Sequence, residues 1–213
     1  MLKIKVKAGS ITNLTDARYF AAREVEWLGF PIGKGEGLIE PLQVKAIAEW
    51  VDGVKIVGEF GFSQRDEILT VCQQIGIDTV QVGMFFSNKE ISELKGLRII
   101  KEVVVDSSLT ETQLEDHLDA YANLCDFFLL NFSATGYTWA DMAIGHPFTI
   151  DFIKGICKKH RIILNLDCHE SEVDKMISEI EPFAIGINGG EEERVGVKSF
   201  DDLDEILDVL EIE

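Results

Sequence analysis

The sequence predicts an α/β protein, a single-domain (β/α)8 TIM barrel spanning residues 1–213. Three observations carry that expectation. Short apolar runs alternate with amphipathic stretches from end to end. Several of the runs are continuously apolar, as parallel strands covered on both faces require. Capped helix starts fall just after the runs, where a βα loop should pass into its helix.

The apolar runs lie near 2–8, 26–30, 53–60, 78–83, 98–105, 125–131, 161–166 and 183–188. The amphipathic stretches lie near 14–25, 41–51, 64–75, 88–95, 110–123, 149–159, 170–180 and 200–210. Phe127-Phe128-Leu129-Leu130 and Ile162-Ile163-Leu164 are runs without a polar residue. Ser87-Asn88-Lys89-Glu90 and Ser108-Leu109-Thr110-Glu111 read as capping boxes. Ser63-Gln64-Arg65-Asp66 and Ser199-Phe200-Asp201-Asp202 read as weaker versions with aspartate. No linker, low-complexity segment or charge block divides these β/α pairs, which favours one closed barrel. An open doubly wound sheet would want a glycine-rich phosphate turn after the first strand. The candidate Gly33-Lys34-Gly35-Glu36-Gly37 does not match G-x-G-x-x-G and follows the second strand.

Charge narrows the partners. Twenty basic against 38 acidic residues leave a formal charge of −18, a field that repels phosphate backbones and argues against a nucleic-acid partner. There is no run of about 18 apolar residues and no apolar signal region at the N-terminus, so no membrane partner and a cytoplasmic protein are expected. A chain of this length buries roughly 70% of its unfolded surface without help from a metal or disulfide. Cys72, Cys125, Cys157 and Cys168 show no paired spacing, and Cys72 shares a helical stripe with Ile68, Leu69 and Ile75. Core thiols in a reducing compartment are the expectation. No cofactor and no metal are expected, and a monomer or homodimer.

In a (β/α)8 barrel the site lies at the C-terminal ends of the strands. Those ends are Gly9 and Ser10, Pro31 to Gly37, Glu59 to Gly61, Gln81 to Met84, Glu102 to Asp106, Asn131 to Ser133, Asn165 to His169, and Asn188 to Gly190. Asn165, Asp167, His169 and Glu170 form the densest polar cluster. Asn165 and Asp167 share a strand face. Asp167 beside His169 is a usable acid–base pair near neutral pH. A divalent-metal site is a second reading. A helix start, with Asp167 and His169 satisfying N–H groups and Glu170 and Glu172 at the positive end, is a third. Asn188, Gly189 and Gly190 can present N–H groups to an anion, although Glu191, Glu192 and Glu193 follow at once. Ser10 and Gln81 complete the expected ligand-binding set around a small-molecule ligand, phosphorylated if that last turn keeps its grip.

The stretch from Phe132 to Pro147 is long for a βα connection and holds Tyr137, Trp139 and Met142. It reads either as an aromatic lid over a planar ligand or as rings packed over the barrel mouth. Met84-Phe85-Phe86 reads as a filler for an emptied site or as a dimer patch. His117 is expected on a solvated helix face, and His146 and His160 in loops.

Several motifs, in order along nearly the whole chain, resemble those of the phosphoribosylanthranilate isomerase family of (β/α)8 barrels in tryptophan synthesis. Lys7-Ala8-Gly9-Ser10-Ile11-Thr12-Asn13 is similar to K-x-C-G-I-T-N. Trp27-Leu28-Gly29-Phe30 resembles A-L-G-F, Asp78-Thr79-Val80-Gln81 resembles D-x-V-Q, and Phe128-Leu129-Leu130-Asn131 resembles F-L-L-D. Ala134-Thr135-Gly136-Tyr137-Thr138-Trp139 is similar to G-T-G-K-x-F, and Gly190 with Gly196-Val197-Lys198 to S-S-G-V-E…P-G-x-K-D.

The resemblance implies ring opening of a ribose and proton movement by a cysteine base on strand one and an aspartic acid on strand six. Those positions hold Gly9 and Asn131. The family arginine of S-P-R falls at Gly35-Glu36-Gly37, the histidine of Q-L-H-G at Gly83, and the A-G-G-L glycines at Leu166 and Asp167. A positioned acid or base contributes about 10²- to 10⁴-fold in rate. Three readings follow: an enzyme of altered chemistry using Asn131, Asp167 and His169; a non-catalytic binder of a metabolite or protein; or an isomerase with a rewired site. The first expects an open mouth on which Asp167 and His169 converge. The second expects a mouth plugged by Phe85, Phe86 or Trp139.

Overall fold

Strand β1 (Lys5–Gly9) ends where Ser10 takes a left-handed φ of 57° and the chain turns. Asn13 then caps α1 (Leu14–Ala22) by accepting from the Asp16 amide at 3.0 Å. This strand–turn–cap–helix unit repeats. It runs through β2 (Trp27–Pro31), α2 (Pro41–Ala48), β3 (Lys55–Phe60), α3 (Arg65–Ile75), β4 (Thr79–Val82) and α4 (Asn88–Glu93). It continues through β5 (Arg98–Val104), α5 (Glu111–Tyr121), β6 (Phe127–Asn131), a short α6 (Trp139–Ala143), α7 (Ile150–Lys159) and β7 (Ile162–Asn165). The last elements are α8 (Val173–Ile180), β8 (Ala184–Asn188), a small hairpin of β9 (Glu192–Arg194) and β10 (Val197–Lys198), and α9 (Asp201–Leu210). The computed structural model describes the chain apart from residues 62, 189–191, 195, 196, 199 and 213, and apart from the side chains of 192–194, 197, 198, 201 and 202.

Strands β1 to β8 close into a parallel barrel, with β8 pairing back onto β1 from Lys5↔Ala184 to Gly9↔Asn188. The (β/α)8 expectation is met.

Alternation along each strand sorts the side chains. One set faces the helices and joins the large core: Val6 and Ala8, Leu28 and Phe30, Val80 and Val82, Ile99 and Val103, Phe128 and Leu130, Ile162 and Leu164. The other set points into the barrel. At its N-terminal end Trp27, Phe127 and Phe183 pack ring on ring, with Trp27–Phe127 centroids 5.4 Å apart. Val57, Ile100, Leu129, Ile163 and Ala184 fill the middle. Towards the C-terminal ends inward positions turn polar: Lys7, Glu59, Gln81, Glu102, Asn131, Asn165 and Asn188 all line the mouth. The site is thus the polar top layer of an otherwise apolar barrel interior.

Lys101 is a charged residue on the helix-facing set. It is fully buried, and its ammonium donates to the carbonyls of Gly83, Met84 and Phe86 at 3.3, 3.2 and 3.0 Å. It also sits 4.2 Å from the Tyr121 ring centroid. Three backbone acceptors on one ammonium fix the path of the β4–α4 loop.

Several local expectations change. Ser108 does not cap α5; its N–H and hydroxyl both turn to Asp106, and Thr110 takes the cap with Gln113 as reciprocal partner. At α3 the cap position is Gln64, without a side-chain bond, rather than Ser63. The cap expected at Ser199 lies outside the described residues. Ser87 and Glu90 form the expected capping box at α4.

The 132–147 segment is folded rather than open. Thr138 and Asp141 make a capping box for α6, which sinks Trp139 and Met142 to 1% exposure each. The Trp139 amide also donates to the Asp167 carbonyl at 2.8 Å. Trp139 and Met142 are packed in the core rather than over the barrel mouth, and Tyr137 does not line the mouth cavity either.

Phe86 is likewise core, while Phe85 is exposed. His117 is half-buried against the Tyr121 ring, contrary to a solvated face, and burial lowers its pKa. His160 ends α7 with its side chain packed edge-on to Phe128. His146 lies in the loop beside Tyr137, as expected.

All four cysteines are free, and burial pushes their thiols up, to about 11 for Cys72 and Cys168 and about 12 for Cys125 and Cys157. Among the described residues no helix is long and apolar enough to cross a membrane.

Candidate ligand site at the barrel mouth

The mouth holds a cavity of about 580 Å³, a size suited to a small metabolite. Two hydrogen-bonded clusters divide its floor.

The first joins β1 to β3. Lys7, only 2% exposed, places its ammonium 2.5 Å from Glu59 Oε1. The other Glu59 oxygen accepts from the Ser10 amide at 3.1 Å. The left-handed turn at Ser10 aims that N–H, a conformation that costs a non-glycine residue roughly 1 kcal/mol. Glu59 reaches Lys7 by passing over β2. A Cβ on Gly29 would stand 2.0 Å from Glu59 Oε1, so only glycine admits the pair. A Cβ on Gly9 would stand 3.1 Å from the same oxygen and 3.3 Å from Lys7 Nζ. The space beside Gly9 is therefore already taken up by the ion pair.

The second cluster runs from β4 to the loop after β7. Gln81 Nε2 donates to Glu102 Oε2 at 3.2 Å, and Asn131 Nδ2 donates to Glu102 Oε1 at 2.6 Å. Asn131 Oδ1 accepts from the Ala134 amide at 3.0 Å and from Asn165 Nδ2 at 3.3 Å. Ser133 Oγ contacts Asn165 Oδ1 at 3.3 Å and Asp167 Oδ1 at 2.7 Å. Register places Asn131 directly beside Asn165. Glu102 thus holds its charge against two amides, and among the described residues it forms no ion pair. The carbonyl oxygen of Gln81 is buried without a hydrogen-bond partner.

Of the residues expected from sequence, Ser10, Gln81, Asn131 and Asn188 line this cavity together. Gly9 lies just below it. Gly189 and Gly190 lie outside the described residues. Asp167 and His169 do not line the cavity. Asp167 stands at the rim on Ser133, and His169 caps a 3-10 turn (Glu170–Glu172) with its Nδ1 3.0 Å from Ser171 Oγ and 2.7 Å from Glu170. Phe85, Phe86 and Trp139 do not line the cavity, so the expected plug is not what fills it.

Glu59, Glu102 and Asn165 stand among the strand ends expected from sequence, the two glutamates without an assigned role, and Lys7 was not expected in the site. Their signal was a polar residue on the inward face near the C-terminal end of an apolar strand. Among the described residues no group of three or more His, Cys, Asp or Glu is placed to hold a metal.

A closed (β/α)8 barrel with a polar pocket at its C-terminal mouth defines the class of fold, a TIM barrel. No protein-family model matches the chain. The N-(5'-phosphoribosyl)anthranilate isomerase of Caldanaerobacter subterraneus subsp. tengcongensis is 22% identical over 194 residues, covering 89% of each chain. That of Thermoanaerobacter pseudethanolicus is 23% identical over 206 residues, covering 96% of this chain and 97% of its own. The crystal structure of the phosphoribosylanthranilate isomerase of Thermotoga maritima superposes with a TM-score of 0.77 at 23% identity, over 97% of this chain and 98% of that one. A complex of such an isomerase with reduced 1-(o-carboxyphenylamino)-1-deoxyribulose 5-phosphate superposes at 0.75, also at 23% identity and over the same shares. The structures carry the fold. The curated relatives to which the chain is similar are phosphoribosylanthranilate isomerases.

Proposed function

We propose that this chain binds and transforms a small polar metabolite in the mouth pocket, and that it does not perform the isomerisation of its relatives by their route. One observation carries the reading. The position of the family base is Gly9, and the volume above it belongs to the Lys7–Glu59 pair.

The position of the family acid is Asn131, an amide with no proton to give at neutral pH, engaged as donor to Glu102. The pocket is nevertheless open and lined by the carboxylates of Glu59, Glu67 and Glu102, which distinguishes it from a filled, retired site. Glu59 and Glu102 are the groups placed for proton transfer. Asn131 and Gln81 orient Glu102, and Asp167 supports the row from the rim through Ser133. His169 stands outside this row and would contribute only from the rim. Ser10 and Asn188 face the ligand from β1 and β8, and a phosphate, where the ligand carries one, is expected at Gly189 and Gly190, which lie outside the described residues. Free thiols with raised pKa values fit a reducing, cytoplasmic setting.

Glu59 and Glu102 also support a second reading, an isomerase with a rewired acid–base pair. Purified protein assayed with phosphoribosylanthranilate, together with complementation of a tryptophan-requiring strain lacking the isomerase, separates the two. Turnover within tenfold of an ordinary isomerase would overturn the first reading. Thermal shifts with sugar phosphates but without isomerase turnover would support it. An absence of any ligand-induced shift would favour a protein-binding relative.

A further inference from the structure

We propose that Glu102 and Gln81 form a subsite for a protonated amine of the ligand. The inference rests on the mouth being a ligand site and names the chemistry of what enters it.

The hydrogen bonds around Glu102 run one way. Gln81 and Asn131 both donate to it, so its oxygens are held as acceptors and its charge is met only by amide dipoles. Two ammonium groups line the pocket: Lys7 is committed to Glu59 at 2.5 Å, and Lys34 stands exposed on the loop after β2 and forms no ion pair with Glu102 among the described residues. Lys101, next in sequence to Glu102, points to the helix side and is spent on three carbonyls. A carboxylate that lines a cavity and, among the described residues, forms no ion pair is best completed by a cation brought in.

The Gln81 carbonyl is the second, independent sign. The residue is only 9% exposed, it lines the cavity, and its Oε1 has no partner. Turning the amide over would supply a partnerless N–H and set oxygen against Glu102, so the orphan is an acceptor in the arrangement seen. A buried acceptor left unpaired costs about 1–3 kcal/mol, and a donor that reaches it recovers that.

A group with two or more N–H bonds and a positive charge satisfies both needs: it donates to Glu102 and, from the same nitrogen, toward Gln81. A hydroxyl has one hydrogen and no charge, and serves only one of them. The ligand of the solved isomerase complex carries a carboxylate and a phosphate. The Glu102 side of this pocket is the wrong sign for the first of these.

The test is a set of matched triples in which one skeleton carries an amine, a hydroxyl or an acetylated amine. Glucosamine 6-phosphate, glucose 6-phosphate and N-acetylglucosamine 6-phosphate make one triple, and their unphosphorylated parents another. Short amino alcohols, the matching diols and their N-acetyl forms extend the set. Thermal shift finds the binding members and calorimetry ranks them on the intact protein.

The amine is expected to bind at least about tenfold more tightly than its hydroxyl or acetyl partner, as a charged hydrogen bond in a sheltered site allows. Glu102→Gln should erase the preference, with the circular-dichroism melt confirming the fold. Rising salt should weaken the amine more than the alcohol in the wild type, a check that needs no variant. Hydroxyl members binding as well as amines would overturn the subsite and leave the mouth as a ligand site. No binding by any member would overturn both.

Discussion

Glu59 lies across Gly29: a Cβ on Gly29 would fall 2.0 Å from Glu59 Oε1, 2.7 Å from its Cδ and 2.8 Å from Lys7 Nζ. The strand between β1 and β3 carries no side chain there because an ion pair from its two neighbours passes over it. Gly29→Ala should therefore destabilise the fold by about 1–3 kcal/mol through displacement of that pair. Gly9→Ala, with its nearest contact at 3.1 Å, should cost clearly less. Urea midpoints of the two variants measure the order, and equal values would contradict it.

Lys7 and Glu59 are both sheltered, with side chains 2% and 13% exposed. Lys7→Met leaves a carboxylate without its cation and should cost about 3–5 kcal/mol. Lys7→Met combined with Glu59→Gln should recover most of that loss, since no charge is then stranded. A double-mutant cycle read by denaturant unfolding gives the coupling, and additive losses would show that the pair is not a unit.

Asn131→Asp restores the family's carboxyl group and sets it 2.6 Å from Glu102 Oε1. Two carboxylates at that distance cannot both ionise cheaply, so one acquires a folded-state pKa above its unfolded value. The penalty, about 1–3 kcal/mol for the lost hydrogen bond alone, is present above that raised pKa and fades as pH falls through it. The variant should trail the wild type most at neutral pH and least in mild acid. A deficit that grows on acidification would refute this account.

Burial pushes Lys101 down from 10.5 to about 8. Between those values the unfolded chain keeps a proton that the folded chain has released. Unfolding then takes up a proton, and this residue's contribution makes stability rise with pH across the window. The stability difference between wild type and Lys101→Met should accordingly widen as pH is raised from about 8 towards 10.5. A difference that stays flat would assign the residue a purely structural role. The same variant should loosen the β4–α4 loop, seen as faster amide exchange at Met84 and Phe86.

The four thiols are free, with pKa values raised to between about 11 and 12 by burial. Thiolate is the reactive form, so a chromogenic disulfide reagent at neutral pH should label the native protein slowly and the unfolded protein at once. Rapid labelling of the folded chain would contradict the burial described here.

By itself the sequence determined the barrel. Strand and helix periodicities are local, and runs such as Phe127 to Leu130 and caps such as Ser87 with Glu90 state them within a few residues. It also pointed to the barrel mouth, because parallel strands in a closed barrel bring their C-terminal ends together, and Gln81, Asn131 and Asn188 line one cavity there. Tertiary structure alone decided which polar groups share that mouth. Lys7 and Glu59 are 52 residues apart, and Glu102 and Asn131 are 29 apart. Their meeting depends on strand register and on which face each last inward residue takes. Tertiary packing also removed Trp139 from the mouth into the core and left His169 on its own helix cap, because hydrogen bonds to the next loop, not residue type, set those directions.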